Sequence, residues 1–353
     1  MTIVEFYKMT FPEKETVEKQ YKKEEAIRIE EKYLTRISEY LLGIGDQKER
    51  GILFNEIISK PSMDNGKVYE LLIYAWMKKN CFNFKKQVWI PADDCLKKEG
   101  YFSDGEFDGV IFDIKKFGIG FPLYETFQKK LQETVSDYII TVGGSKNLDT
   151  KTIEKELLSK IQDWKDRLFS YENKLFDDYR LYDSQYGLEM RAHLEKPGAI
   201  YTSISETDVT QWAEENELYF FRHASQFCIN KPYMVICPFL PQDFPFGTRE
   251  DEAIYHGFRF LCRRMFMNVI KKEGVLLGNS CDGKAKSDVT LATAAHKLSA
   301  VVFLDISKEW DYNNCRCWVY QNPNADFPIQ NYIMASRFRC LGAYIDDFKF
   351  DNY

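Results

Sequence analysis

Residues 104–118 (DGEFDGVIFDIKKFG) contain the side chains whose types and spacing could do chemistry. Asp113 and Lys115 are two residues apart among Phe, Val and Ile, so in a strand both side chains lie on one face. Asp108 has the opposite parity, but the adjacent Gly109 permits a bulge or kink that redirects a side chain. Two carboxylates and an amine at one point can bind Mg²⁺ and orient a water for attack on phosphorus. The spacing therefore indicates metal-dependent hydrolysis at a phosphate.

Asp108 and the triplet Asp113-Ile114-Lys115 resemble the signature of the PD-(D/E)xK nuclease superfamily, which has the restriction-endonuclease-like fold. The resemblance implies a mixed sheet flanked by helices and hydrolysis of DNA phosphodiester bonds with Mg²⁺, or Mn²⁺ in its place. The site residues that it implies are Asp108, Asp113 and Glu70 as metal ligands, Lys115 on the water, and Gln226 as a supporting residue.

The chain departs from the family pattern at the first acidic residue. Phe107 stands where the family has Pro, and the gap between Asp108 and Asp113 is short. Glu106 and Asp104 are therefore alternatives to Asp108 as the first metal ligand.

Each candidate also has a structural interpretation. Asp113 and Lys115 could be solvated charges that protect an edge strand from pairing. Glu70 could pair with Lys67 near the start of a helix, and Gln226 could be a capping or core-bridging amide. The family-like order of these residues along the chain favours the nuclease interpretation.

Hydrophobic periodicity and turn signals predict the elements that position these residues. Helix is expected over 1–65 and 67–80, in a mainly helical stretch over 124–194, and over 208–227, 249–273 and 288–298. Strands are expected at 87–91, 105–117, 233–240, 299–306 and 317–321. The predicted fold class is α/β (α+β), with a central mixed sheet flanked by helices, a restriction-endonuclease-like core and a helical insertion.

This pattern divides the chain into four regions. They are an N-terminal helical region (1–65), the first part of the nuclease core (66–120), the helical insertion (121–199) and the second part of the core (200–353).

Composition limits the classes of protein that the chain can belong to. Its 353 residues are 44% hydrophobic and 16% aromatic, enough to bury a core, which excludes wholesale disorder. No apolar run approaches the ~18 residues of a transmembrane helix. The acidic N-terminal segment lacks a signal-peptide core, and the nine cysteines lack disulfide-framework spacing. We therefore expect a cytoplasmic protein without a membrane partner.

A formal net charge of −6 means that DNA contact requires a local basic surface. Arg259 and Arg263 are four residues apart on a predicted helix, so they share a face suited to phosphates, although pairing with nearby acidic residues is an equal alternative. Lys284 and Lys286 lie in a predicted basic loop and are weak candidates for the same role.

The proposed partners are DNA, a second copy of the chain, and a protein bound through the helical insertion. By analogy with the family, a restriction or anti-phage role is a natural extension. The alternative function is a non-catalytic interaction or oligomerisation protein that retains a nuclease-like fold and uses residues 1–65 and 121–199 as helical arms.

Overall fold

The computed structural model describes most of the sheet and its covering helices. The described residues are 1–14, 21, 25–63, 65–117, 138–144, 162–164, 166–167, 178–183, 188–194, 213–214, 216–240, 251–308 and 316–348.

Eight α-helices flank the sheets of the described chain. They are α1 (Ile3–Thr10), α2 (Glu31–Leu42), α3 (Gln47–Ser59), α4 (Gly66–Lys79), α5 (Asp251–Met267), α6 (Leu277–Ser280), α7 (Leu291–Lys297) and α8 (Asn331–Arg337). Short 3₁₀ segments occur as well, of which Phe220–Gln226 matters most for the site.

In the part of the chain that the structure describes, ten strands form two sheets. The strands are β1 (Phe84–Ile90), β2 (Tyr101–Phe107), β3 (Val110–Ile114), β4 (Tyr138–Gly144), β5 (Asp178–Asp183), β6 (Leu188–Leu194), β7 (Tyr233–Phe239), β8 (Ala300–Asp305), β9 (Cys317–Gln321) and β10 (Tyr344–Asp346). The larger sheet has seven strands in the order β1-β2-β3-β7-β8-β9-β10. Strands β1, β2 and β3 are antiparallel neighbours, whereas β7 is parallel to both β3 and β8. The prediction of a mixed sheet flanked by helices is confirmed.

Two hydrophobic clusters cover the two faces of the large sheet. One contains Phe112 of β3 and packs against residues of α1–α4 and α8. The other contains Ile111 of β3 and packs against the 3₁₀ segment, α5 and α7. Because alternate residues of a strand face opposite sides, Asp113 and Lys115 lie on the same face as Ile111. The N-terminal helices share the first core with the sheet and are not a separate arm.

Strands β2 and β3 form a tight hairpin with Asp108 and Gly109 as its two-residue loop. Their φ angles are 46° and 81°, as a type I′ turn requires. The prediction of one strand over 105–117 is therefore wrong. Asp-Gly between alternating hydrophobic residues is a strong hairpin signal, and it is the signal that the sequence interpretation missed.

Residues 121–199 do not form the expected helical insertion in the parts that the structure describes. Strands β4, β5 and β6 make an antiparallel sheet in the order β4-β6-β5. The sequence LEMRAHL of β6 alternates apolar and polar residues, a period of two that favours a strand over a helix. The remaining residues of this region, apart from helical turns at 162–164 and 166–167, lie outside the described chain.

Other predicted elements are close to those observed, including α4, β7, β8 and β9. In the helix expected over 208–227, the described residues 213–214 and 216 are α-helical, and the C-terminal part is instead a 3₁₀ segment (Phe220–Gln226) with non-helical backbone at His223. Within the described ranges, no helix is both long and apolar enough to cross a membrane.

The turn predicts the effect of an alanine at Gly109. An added Cβ would meet no neighbouring atom, so only the left-handed backbone opposes the change. We expect Gly109→Ala to lower the free energy of unfolding by about 1–2 kcal/mol, measured by urea denaturation. Gly51→Ala is the matched control, because Gly51 lies inside α3 with equal free space, and helix propensity should raise stability by up to about 1 kcal/mol. Equal effects of the two substitutions would contradict the turn assignment.

Candidate active site

The candidate site lies where β2 and β3 separate. Their ladder runs from Phe107↔Val110 to Gly105↔Phe112. Beyond that pair, β2 continues beside β1. The chain of β3 continues beside β7, through bonds from the Lys115 amide to the Ile236 carbonyl and from the Phe117 amide to the Pro238 carbonyl. The divergence leaves Asp104 and Asp113 facing each other without a backbone ladder.

The two aspartates replace the missing ladder bonds with side-chain bonds. The Asp104 amide donates to Asp113 Oδ1 at 3.0 Å, and the Ile114 amide donates to Asp104 Oδ2 at 2.6 Å. Each carboxylate therefore accepts an amide from the opposite strand. This exchange fixes both side chains and satisfies two backbone donors in the interior.

Tyr233 and Lys115 complete the surroundings of Asp113. The Tyr233 hydroxyl donates to Asp113 Oδ2 at 2.6 Å, and Lys115 Nζ lies 3.9 Å from the same oxygen. Lys115 Nζ also donates to Gln226 Oε1 at 3.0 Å, which joins the 3₁₀ segment to the strand. Asp113 is only 2% exposed, whereas about a quarter of the Lys115 side chain reaches solvent. The predicted grouping of Asp113, Lys115 and Gln226 is observed.

The electrostatic consequence is largest at Asp104. Burial and, next in size, the negative charge of Asp113 raise the pKa of Asp104, and the net value is about 7. The bond from Ile114 and the positive charge of Lys115 oppose that shift, and the charge of Glu70 adds to it more weakly. Asp104 therefore exchanges a proton near neutral pH, unlike an ordinary exposed carboxyl.

Asp108 does not join this cluster, contrary to the prediction that it lies with Asp113 and Lys115. Its carboxylate accepts hydrogen bonds from Arg337, at 2.5 Å from Nε and 3.2 Å from Nη2. The cause is the hairpin turn, because Asp108 lies in the turn before β3 and Asp113 lies near the other end of that strand. The alternative ligand Asp104 is in the cluster, while Glu106 faces Lys231 at 3.3 Å.

Glu70 occupies an intermediate position. Its carboxylate pairs with Lys67 Nζ at 2.6 Å, as the structural interpretation of this residue predicts. Its charge nevertheless influences Asp104, and the neighbouring Tyr74 hydroxyl donates to the Asp104 carbonyl at 2.7 Å. Glu70 thus lies beside the cluster and could contribute to it only by leaving Lys67.

None of the four weak DNA-binding candidates (Arg259, Arg263, Lys284 and Lys286) belongs to this hydrogen-bonded cluster. Arg259 pairs with Asp346 at 2.7 Å, and Lys286 Nζ donates to the carbonyls of Ala92 and Cys95. These two cations stabilise tertiary structure, as the alternative interpretation of Arg259 anticipated. Lys284 is exposed, and Arg263 is partly buried on α5.

The donor set for a divalent cation consists of Asp104 and Asp113. Within the described ranges, no group of three or more His, Cys, Asp or Glu residues is arranged to hold a metal ion. Mg²⁺ commonly uses only one or two carboxylates and completes its shell with waters and substrate phosphate. Two adjacent carboxylates, one with a raised pKa, fit such an ion, because a cation would relieve their mutual repulsion.

The raised pKa of Asp104 makes stability depend on pH. Its folded pKa of about 7 exceeds the ordinary value of 3.8, so the folded state holds a proton that the unfolded chain releases. The free energy of unfolding contributed by Asp104 is therefore greatest below pH ~4 and declines as pH rises towards ~7. Asp104→Asn keeps an oxygen for the Ile114 amide and should remove this decline. Urea denaturation in EDTA over that range tests the difference between the two proteins, and parallel pH profiles would contradict the assignment.

The cluster unites β2, β3, β7 and the 3₁₀ segment. Sequence parity predicted Asp113 and Lys115 together, but neither Asp104 as partner nor Tyr233 as hydrogen-bond donor. Hairpin pairing through the Asp-Gly turn would have placed Asp104 opposite Asp113. Comparisons of the chain with protein-family models, with curated proteins and with solved structures found no match.

Proposed function

We propose that the protein is a Mg²⁺-dependent DNA endonuclease of the PD-(D/E)xK type, with Asp104 as its first metal ligand. The observation that supports this most strongly is the joining of Asp104, Asp113, Lys115 and Gln226 in one hydrogen-bonded cluster at a strand divergence. Two carboxylates and an amine held in this way match the requirements of phosphodiester hydrolysis.

The order of elements also supports the proposal. The helix with Glu70 precedes the β2–β3 hairpin, and Gln226 directly precedes β7, which pairs parallel to β3. This order is similar to the one that the family resemblance implies. With Asp104 as the first acidic residue, the separation from Asp113 is also longer than the five-residue step from Asp108.

The chain's own residues have distinct tasks in this proposal. Asp104 and Asp113 would hold the metal, which when bound supplies a lowered water pKa and stabilises negative charge at phosphorus. Tyr233 fixes Asp113 by hydrogen bonding. Gln226 accepts one hydrogen bond from the Lys115 ammonium, whose other N–H donors can contact a water or a phosphate oxygen.

DNA is the proposed substrate because the site combines metal-ligating oxygens with nearby positive charge. Lys115 and Arg222 line one cavity beside the cluster, although the chain as a whole is negative. Restriction or anti-phage defence is an extension of this proposal by analogy.

Lys115→Ala should lower DNA cleavage by ~10²-fold or more, because the ammonium acts on charge that develops during the reaction. Asp104→Asn should have a comparable effect by removing a metal ligand. The measurement is nicking of supercoiled plasmid by the full chain with MgCl₂, MnCl₂ or EDTA at one fixed salt concentration.

Asp108→Asn is the matched control for Asp104→Asn, because it makes the same chemical change in the same hairpin. It should retain cleavage, since Asp108 pairs with Arg337 outside the cluster. Loss of cleavage in Asp108→Asn but not in Asp104→Asn would reverse the ligand assignment. Absence of cleavage by the wild-type chain with either metal would favour the non-catalytic interaction protein.

Metal binding has a separate readout in thermal stability. Mn²⁺ or Mg²⁺ should raise the melting temperature of the wild type, because a ligand that binds only the folded state stabilises it. The increase should be lost in Asp104→Asn and kept in Asp108→Asn. Equal increases in all three proteins would place the metal elsewhere.

A further inference from the structure

A cavity of about 330 Å³ adjoins the carboxylate cluster on the side of the 3₁₀ segment. Lys115 belongs to both places, since its ammonium is near Asp113 and its side chain lines the cavity. The lining residues are Ile114, Lys115, Lys116, Tyr219, Phe220, Arg222, His223, Phe227, Tyr233 and Val235.

One part of the lining is cationic. Lys115 and Arg222 bring two positive charges to the cavity, and His223 adds ring nitrogens. The Lys116 ammonium is instead 5.1 Å from the ring centre of Tyr69 on α4, which covers the other face of the sheet. Lys115 and Lys284 act on His223 as positive charges, and Asp282 and Asp113 act on it as negative charges. Among the described residues that line the cavity there is no aspartate or glutamate. Such a lining favours a small anion with more than one negative charge.

The other part of the lining is apolar and aromatic. Phe220 and Phe227 are buried, and Tyr219 is partly buried with the Arg222 guanidinium 5.9 Å from its ring centre. Aromatic rings and arginine planes provide stacking surfaces for nucleobases, irrespective of sequence. The cavity therefore combines a phosphate-binding part with a base-stacking part.

We infer that this cavity binds the terminal nucleotide of a DNA strand through its phosphomonoester group. The inference rests on the proposed function for the identity of the strand and adds a preference for phosphorylated ends. The phosphate would contact Lys115 and Arg222, and the attached nucleoside would lie against Tyr219 and Phe220.

Size and charge favour a terminal nucleotide over an internal one. The volume is at the lower end of ligand pockets, which span about 300–1,000 Å³. It suits one nucleotide better than several. A phosphomonoester carries nearly two negative charges near neutral pH and three acceptor oxygens, whereas an internal diester carries one charge. Two neighbouring cations, Lys115 and Arg222, therefore discriminate in favour of the monoester.

The test measures binding by the full chain in EDTA, so that it does not depend on cleavage. Calorimetric titration compares deoxyadenosine 5′-monophosphate, deoxyadenosine 3′-monophosphate, deoxyadenosine and inorganic phosphate at one salt concentration. At least one of the two monophosphates should bind about tenfold or more tighter than deoxyadenosine, because charge-assisted bonds to arginine and lysine are strong. The same comparison with short oligothymidylates, phosphorylated at one end or unphosphorylated, distinguishes a strand end from a free nucleotide.

Arg222→Gln and Lys115→Gln should each remove most of the preference for the phosphorylated ligand. Arg337→Gln removes the same charge beside Asp108 and should leave binding unchanged. Melting curves identify any variant that fails to fold, and two independent variants keep the test decisive.

Equal binding of deoxyadenosine and both monophosphates would overturn the phosphate assignment. Equal binding of phosphorylated and unphosphorylated oligonucleotides would overturn the strand-end assignment. These failures differ from failure of the proposed function, which would appear as selective binding without any plasmid cleavage.

Discussion

The exchange of amide-to-carboxylate hydrogen bonds between Asp104 and the end of β3 is the interaction on which the candidate site depends. When two strands separate inside a protein, their amides lose partners, and an unsatisfied buried donor costs about 1–3 kcal/mol. Asp104 and Asp113 satisfy those amides and are thereby held in fixed positions. The divergence of the strands and the positions of the two carboxylates therefore have the same cause, which is the exchange of these two hydrogen bonds.

That solution has an electrostatic cost which other side chains only partly offset. Amide donors could equally be capped by neutral oxygens such as those of Asn or Ser, yet this chain places two carboxylates side by side, and the pKa of Asp104 rises to about 7. Lys115 lies 3.9 Å from Asp113, beyond hydrogen-bond distance, and gives its closer contact to Gln226. An acid with a shifted pKa beside a second carboxylate is typical of functional sites. A bound cation would neutralise the negative charge that Lys115 leaves uncompensated.

The sequence predicted those parts of the site that depend on local geometry. Strand parity placed Asp113 and Lys115 together, because alternation along a strand is independent of the rest of the fold. Strand parity failed for Asp108, because the direction of its side chain depends on a turn with positive φ at Asp108 and Gly109. Without the pairing of β2 with β3, Asp104 was only one of two alternatives to Asp108, and the contact of Lys115 with the distant residue Gln226 was expected from the family resemblance alone. The same limit explains β4–β6, where charged residues suggested helix but the alternation of apolar residues favoured strands.

Lys115 lies at a boundary between two opposite charge environments. On one side are the carboxylates, and on the other is the cavity with Arg222. An ammonium has three donors, of which Gln226 uses one, so the remaining donors can contact a phosphate at the boundary. Under the proposed function, negative charge on one side of Lys115 and positive charge on the other would favour one direction of the DNA strand through the site, with the scissile bond at the carboxylates and a phosphate towards Arg222.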